Sequence, residues 1–444
     1  MKKILISTLL LIILALAVVT YINYPRLDLI TGFASKNMCS CTFVAQRTPE
    51  SVAAQDNDFS PVSWAESEIK DTKAAVSKVF GIKERKAAFQ EGIGCTLLPE
   101  DVERTQRVTE LPQRKQSQND AAYPYGSGAP KDAVFSEVNK EQLQRAIDAA
   151  FAPANKTRAV VVLYKDHLVG EQYAPGFTAE TRQQGWSMTK SITSSVLGIL
   201  HKQGKITLEQ DHLFPEWEDD ERAQITLDDL LRMNSGLEWD EDYTRISDVT
   251  KMLFLAEDMS QVQLHKPLVA EPGNSWNYSS GTSNLLSGFI RKQFNSHQAY
   301  LDFWYTELID KIGMSSMIIE TDLVGNYVGS SYSWATPRDW AKFGLLYLHR
   351  GNWNGEQLLE EEWVDYTRKP TKGSNGEYGA HFWLNAGGKF PNVPKDMFSA
   401  NGFQGQYVFV IPSKNLVVVR MGLVEEPEFD VDAFLGGIVN SVRP

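Results

Sequence analysis

A chain of 444 residues is long enough for two or three structural units, and 42% apolar with 23% charged residues is the make-up of a globular protein with a real core. A formal net charge of −12 argues against a nucleic-acid partner, which requires a basic face. Seven scattered histidines, without His-Glu-x-x-His or Cys-x-x-Cys, argue against a metal site, and no cofactor is expected.

The chain starts with Lys2 and Lys3, then runs apolar from Ile4 to Ile22. Such a run can just span a bilayer, with the lysines held on the cytoplasmic side. Ala15-Leu16-Ala17 has the small-residue pattern of a signal-peptidase site, but Val18, Val19 and Ile22 carry the apolar run past it. Residues 1–24 are therefore expected to be an uncleaved membrane anchor, a secreted chain with a cleaved signal being the alternative. Either places the rest of the chain outside the cytoplasm, in a periplasm-like compartment. A disulfide is permitted there, and Cys95 can pair with Cys39 or Cys41.

Residues 25–133 form an extension of unassigned role. Ser63–Val79 is expected to be helical and Phe80–Leu98 to hold strands. Residues 113–131, rich in Gln, Ser, Gly, Pro and Asp, read as a linker or long loop.

The unit from 134 to 444 opens with a helix capped by Asn139 that carries Leu143, Ile147 and Phe151 on one face. Ala159–Tyr164 and Leu168–Tyr173 read as a hairpin. A mostly helical middle follows, with starts at Thr226 and at Thr336-Pro337. From Gly379 the pattern returns to strands, Tyr407–Ile411 and Leu416–Met421, before a last helix near 430–442. Strands, helices, then strands again make an α/β (α+β) fold. One antiparallel sheet is built from both ends of the unit and flanked by helices, with a mostly helical lobe beside it.

Three stretches carry chemistry. Ser187-Met188-Thr189-Lys190 opens a helix, so Ser187 and Lys190 share a face and the serine sits on the first turn, where free N–H groups favour negative charge. A neutral, desolvated lysine can take a serine's proton; the plain alternative is a helix N-cap beside a solvated lysine. A second Ser-x-x-Lys, Ser67 to Lys70, lies in a polar run read as a helix surface. Glu271-Pro272-Gly273 leads into Trp276-Asn277-Tyr278-Ser279-Ser280, which delivers Tyr278 and Ser280 on a loop. A lysine ammonium would pull the Tyr278 phenol toward phenolate, a competent base. Asn401-Gly402-Phe403 precedes the last hairpin, where glycine allows close approach of a strand edge, and the Phe403 N–H can join that of Ser187 as an oxyanion donor.

Together these resemble the serine hydrolases related to class C β-lactamases, penicillin-binding proteins and 6-aminohexanoate-dimer hydrolase. Ser187 and Lys190 match that family's first motif and Tyr278 with Ser280 its second. The phrases Leu230–Leu237, Glu271-Pro272-Gly273 and Ala335–Ala341 also match. The resemblance covers about residues 135–440 and leaves the extension out. It implies two-step acyl transfer to Ser187 on a small-molecule ester or amide, with Lys190 and Tyr278 moving the proton and the N–H groups of Ser187 and Phe403 holding the oxyanion. Ser280, Asn401 and Gly402 support the second and third motifs, and Trp186, Trp239, Tyr243 and Trp276 are candidate pocket residues. Two departures stand out. Ser280 replaces the usual asparagine, and Ala400 stands where lysine or histidine would bind a substrate carboxylate, a role that an arginine from elsewhere, such as Arg338 or one in the extension, could take over. A penicillin-binding-protein-like peptidase or β-lactamase is the rival within the fold. A non-catalytic exported binding or sensor protein is the rival outside it.

Overall fold

In the computed structural model, residues 2–71, 73–99, 110–115, 119–424 and 428–443 are described. The unit from 134 to 444 is built on a six-stranded antiparallel sheet. Its order runs from Trp383–Leu384 through Phe398–Gly402, Gln406–Ile411 and Leu416–Gly422 to Thr157–Tyr164 and His167–Tyr173. The first hairpin therefore pairs with the last, Val161 facing Val419 across the junction. Period-two alternation sends Val161, Val408, Val417 and Val419 into one core under the helical lobe. Val160, Val162, Phe409 and Val418 enter a second core beneath Lys140–Ala150 and Val431–Ser441. The helix starts read from sequence are present. Asn139 accepts from Gln142 N–H, Thr226 forms a capping box with Asp229, and Thr336 caps a helix with Pro337 at its first position.

The extension differs from its sequence reading. Helix α1, Lys2–Phe43, is followed by four antiparallel strands, β1 Ala65–Lys70, β2 Ala74–Val79, β3 Lys83–Gln90 and β4 Gly94–Leu98. The Ser63–Val79 stretch is thus not a helix; it holds β1 and β2, which turn at Lys73 with a φ of 54°. Its helix-forming Glu, Lys and Ala residues are overridden because Ala74, Ala75, Val76 and Val79 bury one strand against α1 and β3. Ser67 and Lys70, three apart on β1, point to opposite faces and cannot act together.

The second half of α1 is built into the molecule, with Ala34, Met38 and Cys39 buried. Cys39 is disulfide-bonded to Cys95 of β4, and Cys41 is a free, buried thiol. Two buried ionic clusters join the extension to the unit from 134 to 444. Glu320 accepts from Lys36 Nζ, from Ser40 Oγ at 2.7 Å, from the Cys95 N–H at 2.7 Å and from Trp334 Nε1 at 2.9 Å. Asp56 takes Arg47 and both terminal nitrogens of Arg158, each of the latter at 2.7 Å. The stretch read as a linker has no helix or strand among its described residues, yet it is pinned. Arg114 grips Asp310 at 2.6 Å and the Met317 carbonyl at 2.9 Å, and the buried Tyr123 donates to the Arg338 carbonyl at 2.9 Å.

The first half of α1 carries Ile6, Leu9, Leu10, Leu11, Ile12, Leu14 and Val18 exposed. Among the described residues no helix is long and apolar enough to cross a membrane. Side chains 15–17, the signal-peptidase-like site, lie outside the described residues.

Candidate active site

The site lies at the start of the helix Met188–Lys202, where it meets the strand Phe398–Gly402. The turn into the helix is tight: Trp186 has a φ of 48°, and the Gly185 N–H donates to the Ser333 carbonyl at 2.7 Å. Ser187 occupies the N-cap position, but its side chain makes no capping bond. Its Oγ instead accepts from Lys190 Nζ at 2.9 Å. The buried Lys190 also donates to Ser280 Oγ at 2.8 Å and to the Ser330 carbonyl at 3.1 Å. Burial lowers its pKa to about 8, against the pull of Glu241 in the other direction. A lysine with that pKa is substantially neutral near pH 8, one hydrogen bond from a serine hydroxyl.

Tyr278 completes the group, with Lys190 Nζ 4.9 Å from its ring centroid. Its electrostatics overturn the sequence expectation. Burial and then the Glu241 carboxylate push the phenol up, and its contact with Ser187 only partly opposes them. Tyr278 is therefore held protonated, as a proton donor and not as a phenolate.

Glu241 is the residue sequence reasoning missed. It accepts from the Ser280 N–H at 2.8 Å, from Ser280 Oγ and from Trp239 Nε1. A carboxylate thus sits at the start of the helix Ser280–Lys292, where the dipole favours it, and orients the Ser280 hydroxyl that Lys190 binds. No local pattern marks it, because it reaches Ser280 from a segment 39 residues away in the chain. Trp383 and Tyr378 were also missed. They stand 5.2 Å and 5.6 Å from the Tyr278 ring and, with Trp276, make one aromatic wall. Their contacts come from chain remote in sequence, which local pattern cannot reveal.

The other wall is Trp186, Tyr243 and Phe403, with Phe403 edge-on to Trp186 at 5.4 Å and stacked on Tyr243 at 4.6 Å. Trp239 belongs to the same apolar cluster and lies beneath the start of Ser280–Lys292, where a Cβ added at Gly281 would stand 2.5 Å from its ring. Gly402 is held against the turn before Ser187, since a Cβ there would come 2.1 Å from the Gly185 carbonyl oxygen and 3.1 Å from the Trp186 Cβ. Among the described residues neither the Ser187 nor the Phe403 N–H donates to a backbone carbonyl, so both remain available to an oxyanion.

Asn401 falls on the opposite strand face from Ala400 and Gly402. Its cross-strand neighbour is Tyr407, which packs on the second core. The side chain thus stands apart from Ser187, and alternation is the reason. Ala400 is buried in the first core. Arg338 is engaged with Glu171, and of the extension arginines Arg47 is paired with Asp56, Arg85 with Asp28 and Arg114 with Asp310, while Arg104 and Arg107 lie outside the described residues.

The family model described as Beta-lactamase matches residues 146–434. The chain belongs to the beta-lactamase family. It is a serine hydrolase of that family, and the antiparallel sheet flanked by helices is the family's fold. Among individual proteins, it is 22% identical over 297 residues to 6-aminohexanoate-dimer hydrolase of Paenarthrobacter ureafaciens, covering 61% of this chain and 74% of that one. A solved structure of a family VIII carboxylesterase superposes with a TM-score of 0.53 at 14% identity, over 71% of this chain and 99% of the other. Another, EstCE1, titled a hydrolase with promiscuous acyltransferase activity, gives 0.55 at 13% identity, over 68% and 98%. The beta-lactamase match starts at residue 146, beyond the strands β1–β4.

Proposed function

We propose that this beta-lactamase-family hydrolase cleaves an uncharged ester or amide through an acyl-enzyme on Ser187. The observation that carries the reading is the bond from Lys190 Nζ to Ser187 Oγ, made by a lysine that burial brings to a pKa of about 8. Neutral Lys190 takes the Ser187 proton as Oγ attacks the carbonyl carbon. The N–H groups of Ser187 and Phe403 stabilise the oxyanion. As the tetrahedral intermediate collapses, the Tyr278 hydroxyl gives its proton to the leaving alcohol or amine and recovers one from the Lys190 ammonium. Water then releases the acyl group by the same path in reverse. Glu241 holds Ser280 and so fixes one of the three acceptors around Lys190.

The substrate class follows from what faces the nucleophile. Two aromatic walls suit an apolar acyl or alcohol group. A carboxylate-bearing β-lactam would need a cation, and charge-assisted hydrogen bonds contribute about 1.5–3 kcal/mol each. Ala400 supplies none. The names of the relatives, a 6-aminohexanoate-dimer hydrolase and a family VIII carboxylesterase, are in keeping with hydrolysis on this fold. The test compares kcat/KM for p-nitrophenyl butyrate and nitrocefin on one preparation. The ester should be strongly preferred, and a tenfold preference for nitrocefin would contradict the reading.

We also propose that residues 4–22 attach the protein to a membrane, with the catalytic unit outside the cytoplasm. The support is the row of exposed Leu and Ile side chains on the first half of α1, beside Lys2 and Lys3. The full chain should sediment with membranes through carbonate washing, and residues 25–444 should not. A full chain that washes off would reject the attachment.

A further inference from the structure

We propose that Phe33, contributed by the extension, is a positioning residue for the hydrolytic site, so that the extension forms part of the catalytic apparatus. The proposal rests on the reading of Ser187 as nucleophile. Phe33 is buried on the second half of α1 and stacks on Trp186, with ring centroids 6.2 Å apart and planes 23° apart. Phe254, from the helical lobe, closes on the other side of Phe33 at 5.3 Å.

Trp186 is the residue before Ser187, and it is held at a φ of 48°, a backbone conformation that costs a side-chain-bearing residue unless its surroundings enforce it. The indole does two things there. Its edge-on contact with Phe403, at 5.4 Å, links the nucleophile turn to the residue carrying the second oxyanion N–H. Its Cβ would lie 3.1 Å from any Cβ at 402, so the turn and the strand are already at contact distance. Freeing the ring thus frees both oxyanion donors relative to each other. Phe33 supplies the face that prevents this. The helix that carries it cannot slide, because Lys36 and Ser40, one and two turns on, are bound to the buried Glu320, and Cys39 is tied to β4. Glu320 in turn holds Trp334, whose strand pairs with Gln184, just ahead of the turn. The extension thus reaches the nucleophile turn from two sides, one aromatic and one through backbone.

The test uses the full chain with p-nitrophenyl butyrate, and counts competent sites by fluorophosphonate titration so that rates are expressed per titrated serine. Phe33→Ala should lower kcat per titrated site by about ten- to a hundredfold with little change in KM, the scale of a slight misplacement of reacting groups. Phe33→Tyr, which keeps the ring, should restore the rate. Val62→Ala, in the same apolar cluster but not one of the rings that touch Trp186, should lower Tm and leave kcat per titrated site unchanged. Should Phe33→Ala fold too poorly to titrate, Phe33→Leu keeps the volume without the stacking face and should show the same loss of kcat. A wild-type rate per titrated site in Phe33→Ala or Phe33→Leu, or an equal loss in Val62→Ala, would overturn the proposal. A wild-type protein that neither titrates nor hydrolyses the ester would instead reject the assignment of Ser187.

Discussion

At the scale of single residues, the site turns on which group gives up a proton first. Burial leaves Lys190 neutral above about pH 8 and keeps the Tyr278 hydroxyl protonated through the working range. With the neutral lysine as base, kcat/KM should rise with pH, flatten above about 8 and show no requirement for phenolate. Lys190→Ala should remove that limb and lower kcat by at least about a hundredfold, the usual scale of lost acid–base help. Tyr278→Phe should cost a similar factor by removing the donor to the leaving group. Glu241 acts in the opposite sense to burial on Lys190. In Glu241→Gln the acid limb should therefore move to lower pH, as pH–rate profiles of the two proteins would show. An unchanged limb would mean that Lys190 is not the group titrating.

At the scale of elements, short-range spacing made Ser187, Lys190 and Tyr278 legible, because a helix start and a loop before a helix are local events. The hairpin Ala159–Tyr164 with Leu168–Tyr173 was legible for the same reason, but not the two cores it separates, since the buried strand Thr157–Tyr164 is apolar on both faces. What was illegible depends on remote chain. Glu241, Tyr378 and Trp383 acquire their roles only when three loops converge. Ser63–Val79 has the composition of a helix and becomes strands because α1 covers it. The motif named Asn401 without the strand face on which it falls, the one opposite Ala400. Gly402 shows how little freedom that strand has. A methyl group there would meet the Gly185 carbonyl oxygen at 2.1 Å, backbone against backbone, and neither can yield without moving an oxyanion donor. Gly402→Ala should therefore fold with reduced stability and lose most of its turnover, which denaturation and ester assays on one sample would show. A fully active Gly402→Ala would mean that the strand and turn separate without consequence.

At the scale of the whole molecule, the extension is fastened to the catalytic unit by buried charge as well as by apolar contact. Glu320 is fully buried, with Lys36 its paired cation. Removing one member of such a pair strands the other in low dielectric and costs about 3–5 kcal/mol. Lys36→Met should lower the unfolding free energy on that scale in urea, even though three other donors to Glu320 remain. A change within experimental error would mean that those three suffice. The same fastening distinguishes two truncations. Starting the chain at residue 25 removes only the exposed half of α1, and should leave a folded, active protein. Starting it at residue 134 removes the partners of Glu320 and Arg158 and the face against Trp186, and should not.

The assignment of Ser187 as a nucleophile driven by neutral Lys190 is tested most directly by the pH dependence of fluorophosphonate labelling, with the modified residue located by peptide mapping. The expected result is a single adduct on Ser187, formed at a rate that climbs as pH rises toward about 8 and levels off beyond it, with the climb absent in Lys190→Ala. No adduct, an adduct on another serine, or a wild-type rate independent of pH through that range would contradict it.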